Sequence, residues 1–290
     1  MPLRHILLSF AVATVLGMSF VAVRWGVDEV SPLLMTAARY ALAAFPALFF
    51  IKRPPVSWRL LATYGLLIGV GQFGLLFLAI KLGMPAGLSS LVIQLQVFFT
   101  IGLAFVFFGE RPRPWQIIGA LVAFGGIAVI ALERLEGAAL LPLVLTIAAA
   151  GFWGFGNMAS KRAGRIDMTG FVVWSALFPV LPLVAGAVLL DGPGIFAAAA
   201  QNLTWRGLAS AAFMAWGATL FGFSMLARLL SLYPASQVSP FMLFVPVAGI
   251  ASAGLLLGET VTGIEIAGSA LVFLGLMINV FGGRLLRRFA

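Results

Sequence analysis

No cysteine occurs among the 290 residues, which excludes disulfides and thiolate metal sites. Histidine is nearly absent too. His5 stands alone near the N-terminus, so a zinc or haem centre has no ligand set, and no metal or other cofactor is expected. Charge is the third shortage. Only 9% of residues are charged while 62% are apolar, against about 25% and roughly 45–50% in an ordinary soluble domain. A soluble chain of this length cannot cover its surface with so few charges. The sequence has no G-x-x-x-x-G-K-[ST] motif, which excludes ATP hydrolysis by that route. No Asp or Glu falls in the middle of an apolar run. An enzyme working on lipid within the bilayer would lack its acid and base, and the carboxylate relay of many proton pumps is missing. The chain is not expected to be an enzyme.

What is present is a series of long apolar runs. Ten recur, near 5–23, 32–51, 59–80, 86–108, 114–132, 139–160, 170–190, 206–228, 234–257 and 263–282. Each is close to the roughly 20 residues a helix needs to cross about 30 Å of hydrocarbon. The first run follows Arg4 and exceeds the apolar core of about 7–15 residues found in a signal peptide, so it reads as a span. The fold class expected is an all-α integral membrane protein of ten transmembrane helices. Linkers are short, the longest lying between Asp191 and Trp205, and they leave no room for a separate soluble domain.

The net charge of +9 belongs to orientation rather than to nucleic acid. With the N-terminus inside, the inner loops and ends hold Arg4, Lys52, Arg53, Arg59, Arg111, Arg113, Lys161, Arg162, Arg165, Arg228, Arg284, Arg287 and Arg288. The outer side holds only Arg24, Lys81, Arg134 and Arg206, together with Asp28, Glu29, Glu133, Glu136, Asp191, Glu259 and Glu265. This bias predicts both termini in the cytoplasm.

The chain also matches itself. At an offset of 149 residues Pro85-Ala86 meets Pro234-Ala235, Ser90 meets Ser239 and Gly109-Glu110 meets Gly258-Glu259. Gly119 meets Gly268, Phe124 meets Phe273 and Gly126 meets Gly275, and 11 of 44 aligned positions are identical. A weaker echo at an offset of 137 sets Leu16-Gly17, Phe20 and Arg24 against Trp153-Gly154, Asn157 and Lys161. The expected units are therefore 5–132 and 139–282, each of five spans. Five is odd, so the two units must cross the membrane in opposite directions. Such inverted repeats exchange conformations about a site near the midplane, which points to transport by alternating access through a central cavity.

Intramembrane polar residues should face that cavity or another helix, because an unpaired amide in hydrocarbon is costly. The candidates for substrate binding are Gln72, Gln94, Gln96, Trp153, Asn157 and Trp216. Gln94 and Gln96 lie about 200° apart on an ideal helix, so one is expected to line the cavity and the other to bond a neighbouring helix. Trp153 and Asn157 are four residues apart and share a face, an indole beside an amide. The glycines around Gln72 (Gly69, Gly71 and Gly74), and the GxxxG pair Gly65 and Gly69, read as close helix packing. Arg39 is the one charge well inside a span: it could receive a substrate carboxylate, or snorkel outward or bond helix-end carbonyls. With Pro85, Glu110, Pro234 and Glu259 it is assigned first to gating or structure. Glu110 is expected to pair with Arg111 or Arg113.

These features resemble the drug/metabolite transporter superfamily in its EamA-type branch of ten-span permeases, along essentially the whole chain. The segments GMPAGLSSLVIQLQVFFT (83–100), VVWSALFPVLP (172–182), PFMLFVPVAGIASAGLLLGE (240–259) and GLMINVFG (275–282) resemble bacterial amino-acid exporters. The cysteine/O-acetylserine exporter is the nearest in text, and the aromatic amino-acid exporters share the architecture. The resemblance implies export of amino acids or similar small metabolites, through a cavity lined mainly by spans 1, 3, 4, 6, 8 and 9. Where relatives carry Trp-Gly in span 1, this chain has Leu16-Gly17. Facilitated or gradient-driven export is the first reading. Proton-coupled efflux of drugs, metabolites or lipid-like substrates on the same fold is the alternative. The partners expected are a small-molecule substrate and membrane lipid, with a homodimer left open.

Overall fold

The computed structural model describes residues 1–136, 140–164, 166–233 and 235–289, and their side chains apart from those of 133–136, 227, 230, 231, 235, 236, 239 and 284–289. Pro234, Arg165 and the side chains of Glu133, Arg134, Glu136, Arg284, Arg287 and Arg288 thus lie outside the described set. The apolar runs become helices: α1 (Leu3–Glu29), α2 (Pro32–Leu48), α3 (Trp58–Lys81), α4 (Ala86–Phe108), α5 (Pro114–Glu136), α6 (Leu140–Ala163) and α7 (Met168–Asp191). They continue as α8 (Trp205–Ala212, Phe213–Phe223 and Ser224–Leu232), α9 (Ala235–Met242 and Phe244–Leu257) and α10 (Gly263–Phe289). Among the described residues nine helical stretches are long and apolar enough to cross a membrane, and α2 is a shorter apolar helix of 17 residues. The outer surface agrees, with Leu121, Leu181, Leu189 and Leu255 at least 70% exposed. Leucines so exposed on every side are a lipid-facing surface. The protein is an all-helical, multi-pass membrane protein.

Several helices outrun their apolar runs. α1 continues to Glu29 and α10 to Phe289, because hydrogen bonding carries a helix past the hydrocarbon to where charges are solvated. The linker after Asp191 holds an extra short helix, Ile195–Asn202. Starts are capped by side chains that the sequence supplies. Ser57 accepts from Leu60 N at 3.2 Å, Asp167 from Thr169 N at 3.0 Å and Thr204 from Arg206 N at 3.1 Å. Before α10, Thr262 Oγ1 accepts from Glu265 N at 3.1 Å while Glu265 Oε2 accepts from Thr262 N at 3.3 Å, a reciprocal capping box.

The repeated Gly-Glu has a geometric cause. α4 and α9 both end in a left-handed glycine, Gly109 at φ 67° and Gly258 at φ 66°. In both, the following Glu donates its N–H six residues back, Glu110 N to Ala104 O and Glu259 N to Ala253 O, each at 3.3 Å. This turn satisfies carbonyls that the helix end leaves open, and only glycine takes that φ without strain.

Close backbone contacts set how the helices cross. A Cβ on Gly119 would lie 2.6 Å from Gly275 O, and one on Gly126 would lie 2.5 Å from Gly268 O. As numbers rise along α5 they fall along α10, so these helices run antiparallel. The repeat offset turns Gly119 into Gly268 and Gly275 into Gly126, so the contact is its own image. The same relation links other pairs. A Cβ on Gly17 in α1 would meet Ala248 Cβ in α9 at 2.7 Å, and one on Gly154 in α6 would meet Phe99 Cβ in α4 at 2.9 Å. Ala248 and Phe99 are 149 apart, and Gly154 and Gly17 are 137 apart. The glycines of α3 pack in the same way, Gly65 against Ser175 O at 2.2 Å and Gly69 against the Pro179 ring at 2.3 Å.

Replacing Gly126 by leucine should force α5 and α10 apart and cost about 2 kcal/mol or more, as overpacking does. The neighbouring Gly125 is exposed with nothing within 4 Å of its would-be Cβ. Gly125→Ala should be neutral or stabilise by roughly 0.5–1 kcal/mol. Thermal unfolding of the two variants in detergent checks the contrast, and equal midpoints would contradict the packing described.

Candidate functional site

A cavity of about 790 Å³ lies among the helices of both halves, within the roughly 300–1,000 Å³ range of small-molecule sites. Its polar lining comprises Ser19, Arg39, Gln72, Gln94, Gln96, Thr100, Gln116, Asn157 and Asn279, with Phe20, Phe73, Trp153 and Phe223 among the apolar walls. Of the six residues singled out as substrate-binding, five are brought together here: Gln72, Gln94, Gln96, Trp153 and Asn157. The sixth is not. Trp216 is 49% exposed, and its indole N–H donates to Leu42 O at 3.1 Å. It closes a backbone group of α2 at the lipid face, away from the cavity.

The division expected between Gln94 and Gln96 holds in part: Gln96 bonds a neighbouring helix, but both glutamines line the cavity. The physical reason is a tightening of the helix. Residues Ile93–Leu95 form a 3₁₀ turn, and at about three residues per turn the two glutamines lie about 240° rather than 200° apart, that is roughly 120° rather than 160° by the shorter way round. Gln96 also bridges helices: its Oε1 accepts from Asn157 Nδ2 at 2.9 Å. Asn157 Nδ2 donates further to Thr100 Oγ1 at 2.9 Å, and Thr100 Oγ1 donates to Gln96 O at 2.7 Å. This network ties α4 to α6 on the cavity wall. Gln72 and Gln94 form no hydrogen bond among the described residues, although they are only 2% and 8% exposed. Their amides face the cavity with their bonding capacity unspent.

Two widened helical segments shape the same wall. Leu66–Gly74 in α3 and Phe213–Phe223 in α8 hydrogen-bond in the i→i+5 pattern, and Thr219 Oγ1 follows suit by donating to Met214 O at 2.9 Å. Such segments are frequent at functional sites. They carry Gln72 and Phe73 from one half, and Ala218 and Phe223 from the other, to the cavity.

Arg39 was assigned to structure because span 2 is peripheral in the resemblance, yet it lines the cavity. Its Nε donates to Thr219 Oγ1 at 3.1 Å, and its guanidinium lies 3.8 Å from the centre of the Phe73 ring. Asn279, Ser19 and Thr100 were not singled out as binding residues. Asn279 had a readable signal, an amide inside an apolar run, whereas Ser19 did not.

The two ends of the bundle are tied differently. At the end holding Lys81 and Glu259, the Glu259 carboxylate accepts from Ala86 N at 2.7 Å and Gly87 N at 3.0 Å. It thereby caps the N-terminus of α4, directly after Pro85, where backbone donors and the helix dipole favour an anion. Arg24 Nη1 donates to Ile80 O at 3.3 Å and Lys81 Nζ to Val27 O at 2.6 Å, stitching α1 to α3 reciprocally. At the opposite end Glu110 pairs with Lys161, not with Arg111 or Arg113 as expected. Proximity in sequence does not decide this pair; the crossing of α4 and α6 does. Glu110 and Glu259 are repeat equivalents, so equivalent carboxylates hold different partners. The cavity extends toward the Glu110 end, where Gln116 and Asn279 line it.

Comparison with known proteins follows the same two-part division. The EamA-like transporter family matches residues 3–132 and again residues 140–281. A protein of Salmonella typhimurium named a probable amino-acid metabolite efflux pump is 42% identical over 286 residues, covering 97% of this chain and 96% of its own. One of the same name from Escherichia coli is 41% identical over 283 residues, covering 96% and 95%. A crystal structure superposes with a TM-score of 0.67 at 19% identity over 98% of this chain and 97% of that one, a likeness of fold. With both halves matched and end-to-end relatives at this identity, the chain belongs to the EamA-like transporter family, a family of membrane transporters and not of enzymes.

Proposed function

We propose that this protein exports amino acids and related small metabolites across a bacterial inner membrane by alternating access, with ten spans and both termini in the cytoplasm. The observation that carries the reading is the cavity between the halves, where Gln72, Gln94, Gln96, Trp153 and Asn157 converge. Amides bind the polar ends of an amino acid and an indole takes an apolar side chain. The names of the relatives from Salmonella typhimurium and Escherichia coli point to the same substrate class. The antiparallel, self-imaging contact of α5 with α10 supports inverted units of 5–132 and 139–282. The bias of lysine and arginine supports the orientation. No acidic residue is among those lining the cavity, which favours facilitated or gradient-driven flux over a carboxylate proton relay.

In this reading the structure is the inward-facing form. The cavity extends toward the cytoplasmic Glu110–Lys161 end, and Glu259, capping α4 from the end of α9, seals the outer end. Switching to the outward form requires the Glu259 cap to open. Pro85 stands next to that cap, which suits a gating role. Pro234, its repeat equivalent, carries the matching assignment by sequence alone.

Three measurements test the proposal. Reconstituted in proteoliposomes, the protein should move labelled amino acids down their gradient, and no flux of any amino acid would refute it. Asn157→Leu removes the donor to Gln96 and Thr100, and should lower kcat/KM about 10-fold, the equivalent of one or two cavity hydrogen bonds. Unchanged kinetics would remove the α4–α6 network from the site. A cysteine-free chain also permits a clean cross-link. A Cβ on Gly87 would lie 3.3 Å from Ala253 Cβ, close to disulfide range. The double variant Gly87→Cys/Ala253→Cys should stop transport when oxidised and regain it on reduction. Full flux in the oxidised form would show that α4 and α9 need not separate.

A further inference from the structure

Arg39 is the most deeply buried charge described, at 1% exposure. Seven residues past Pro32, it sits roughly 10 Å below the outer end of α2. A guanidinium at that depth needs an anion or a full set of acceptors. It has neither. Nε is bonded to Thr219 Oγ1, Nη1 is buried with no partner, and no carboxylate pairs with the group. What surrounds it instead is aromatic. The Phe73 ring lies 3.8 Å and the Tyr40 ring 6.0 Å from the guanidinium carbon. Their quadrupoles attract a cation but satisfy none of its N–H donors.

The position of this unmatched charge is informative. Arg39, Gln72, Phe73 and Trp153 line both the main cavity and a small pocket of about 30 Å³ beside it. Arg39 is held there from both halves, by Thr219 of α8 and by the Phe73 face of α3. That pins the fork without using up its donors. A planar fork of N–H groups fits a carboxylate, which accepts two parallel bonds and supplies the missing counter-charge.

We infer that Arg39 is the carboxylate-recognition group of the transport site, so that the protein selects solutes bearing a free carboxylate over their uncharged or purely cationic analogues. This rests on the export reading above. It deepens it by naming the group that defines the substrate class, and it makes Arg39 a specificity determinant. Gln72 flanks the same spot with a free amide, suited to hold the carboxylate's remaining lone pairs.

The test compares an amino acid with its amide and its methyl ester, which keep the side chain and the amine but lack the anion. Binding to purified protein is read by calorimetry, and flux in proteoliposomes. Wild type should prefer the acid by on the order of 100-fold or more, since a buried charge pair is lost with the analogues. Arg39→Gln should level that preference to within about 3-fold while still binding the amide, because neutral recognition by the other amides persists. Arg39→Lys keeps the charge but not the fork, and should retain part of the preference. Should Arg39→Gln not fold, the wild-type comparison and the lysine variant decide. Wild type binding acid and amide equally would overturn the inference while leaving amino-acid export intact. So would an Arg39→Gln protein that keeps the full preference. Absence of any binding or flux of acid, amide and ester alike would overturn the export reading, and this inference with it.

Discussion

Everything in this bundle depends on how closely its backbones approach. Lipid is as apolar as leucine, so helices in a membrane gain little by hiding apolar side chains from it. Association comes from tight packing and buried polar contacts instead. Here glycine supplies the packing. Gly119 and Gly126 bring α5 onto α10, Gly17 brings α1 onto α9, and Gly154 brings α6 onto α4. With the outer walls fixed in this way, the helices between them are held apart around a space that they do not fill. The cavity is what remains between two sets of close contacts.

The polar residues follow from that arrangement. Hydrocarbon tolerates an amide only where it meets a partner or a wet space. Gln96, Asn157 and Thr100 meet one another, and Gln72 and Gln94 meet the cavity. The two ends carry a different chemistry, carboxylates on backbone N–H groups or on an ammonium. Packing, cavity lining and end contacts thus fall to different residue types: glycine, amide with aromatic, and Glu with Lys. A change in one class need not disturb the others.

How much of this was legible in the sequence depends on the range of the interaction concerned. Spans were readable because hydropathy is local and each run needed only its own residues. The repeat frame was readable because Gly109 and Gly258 answer a local demand, a left-handed helix end, that recurs in each half. Most of the cavity amides were readable by the same logic of cost. Trp216 was misplaced because an indole in a span looks the same whether it faces solute or lipid. That Gln94 and Gln96 both reach the cavity was not read, because an ideal helix was assumed where the chain tightens at Ile93–Leu95, and the widened stretches of α3 and α8 likewise leave no mark in hydropathy. Arg39 was weighted towards structure, and Glu110 was given the wrong partner, for another reason. Their roles depend on which helices cross, and no single segment encodes that.

The contact between α5 and α10 has a consequence for how the protein is made. Because the contact is its own image, each half carries in its last helix both glycines needed to bind another copy of itself turned upside down. Two unlinked halves would form the pair only by inserting in both orientations in equal number. In the proposed topology of five spans per half, joining them in one chain settles that ratio at one to one. Each half is then free to specialise, as the differing partners of Glu110 and Glu259 already show.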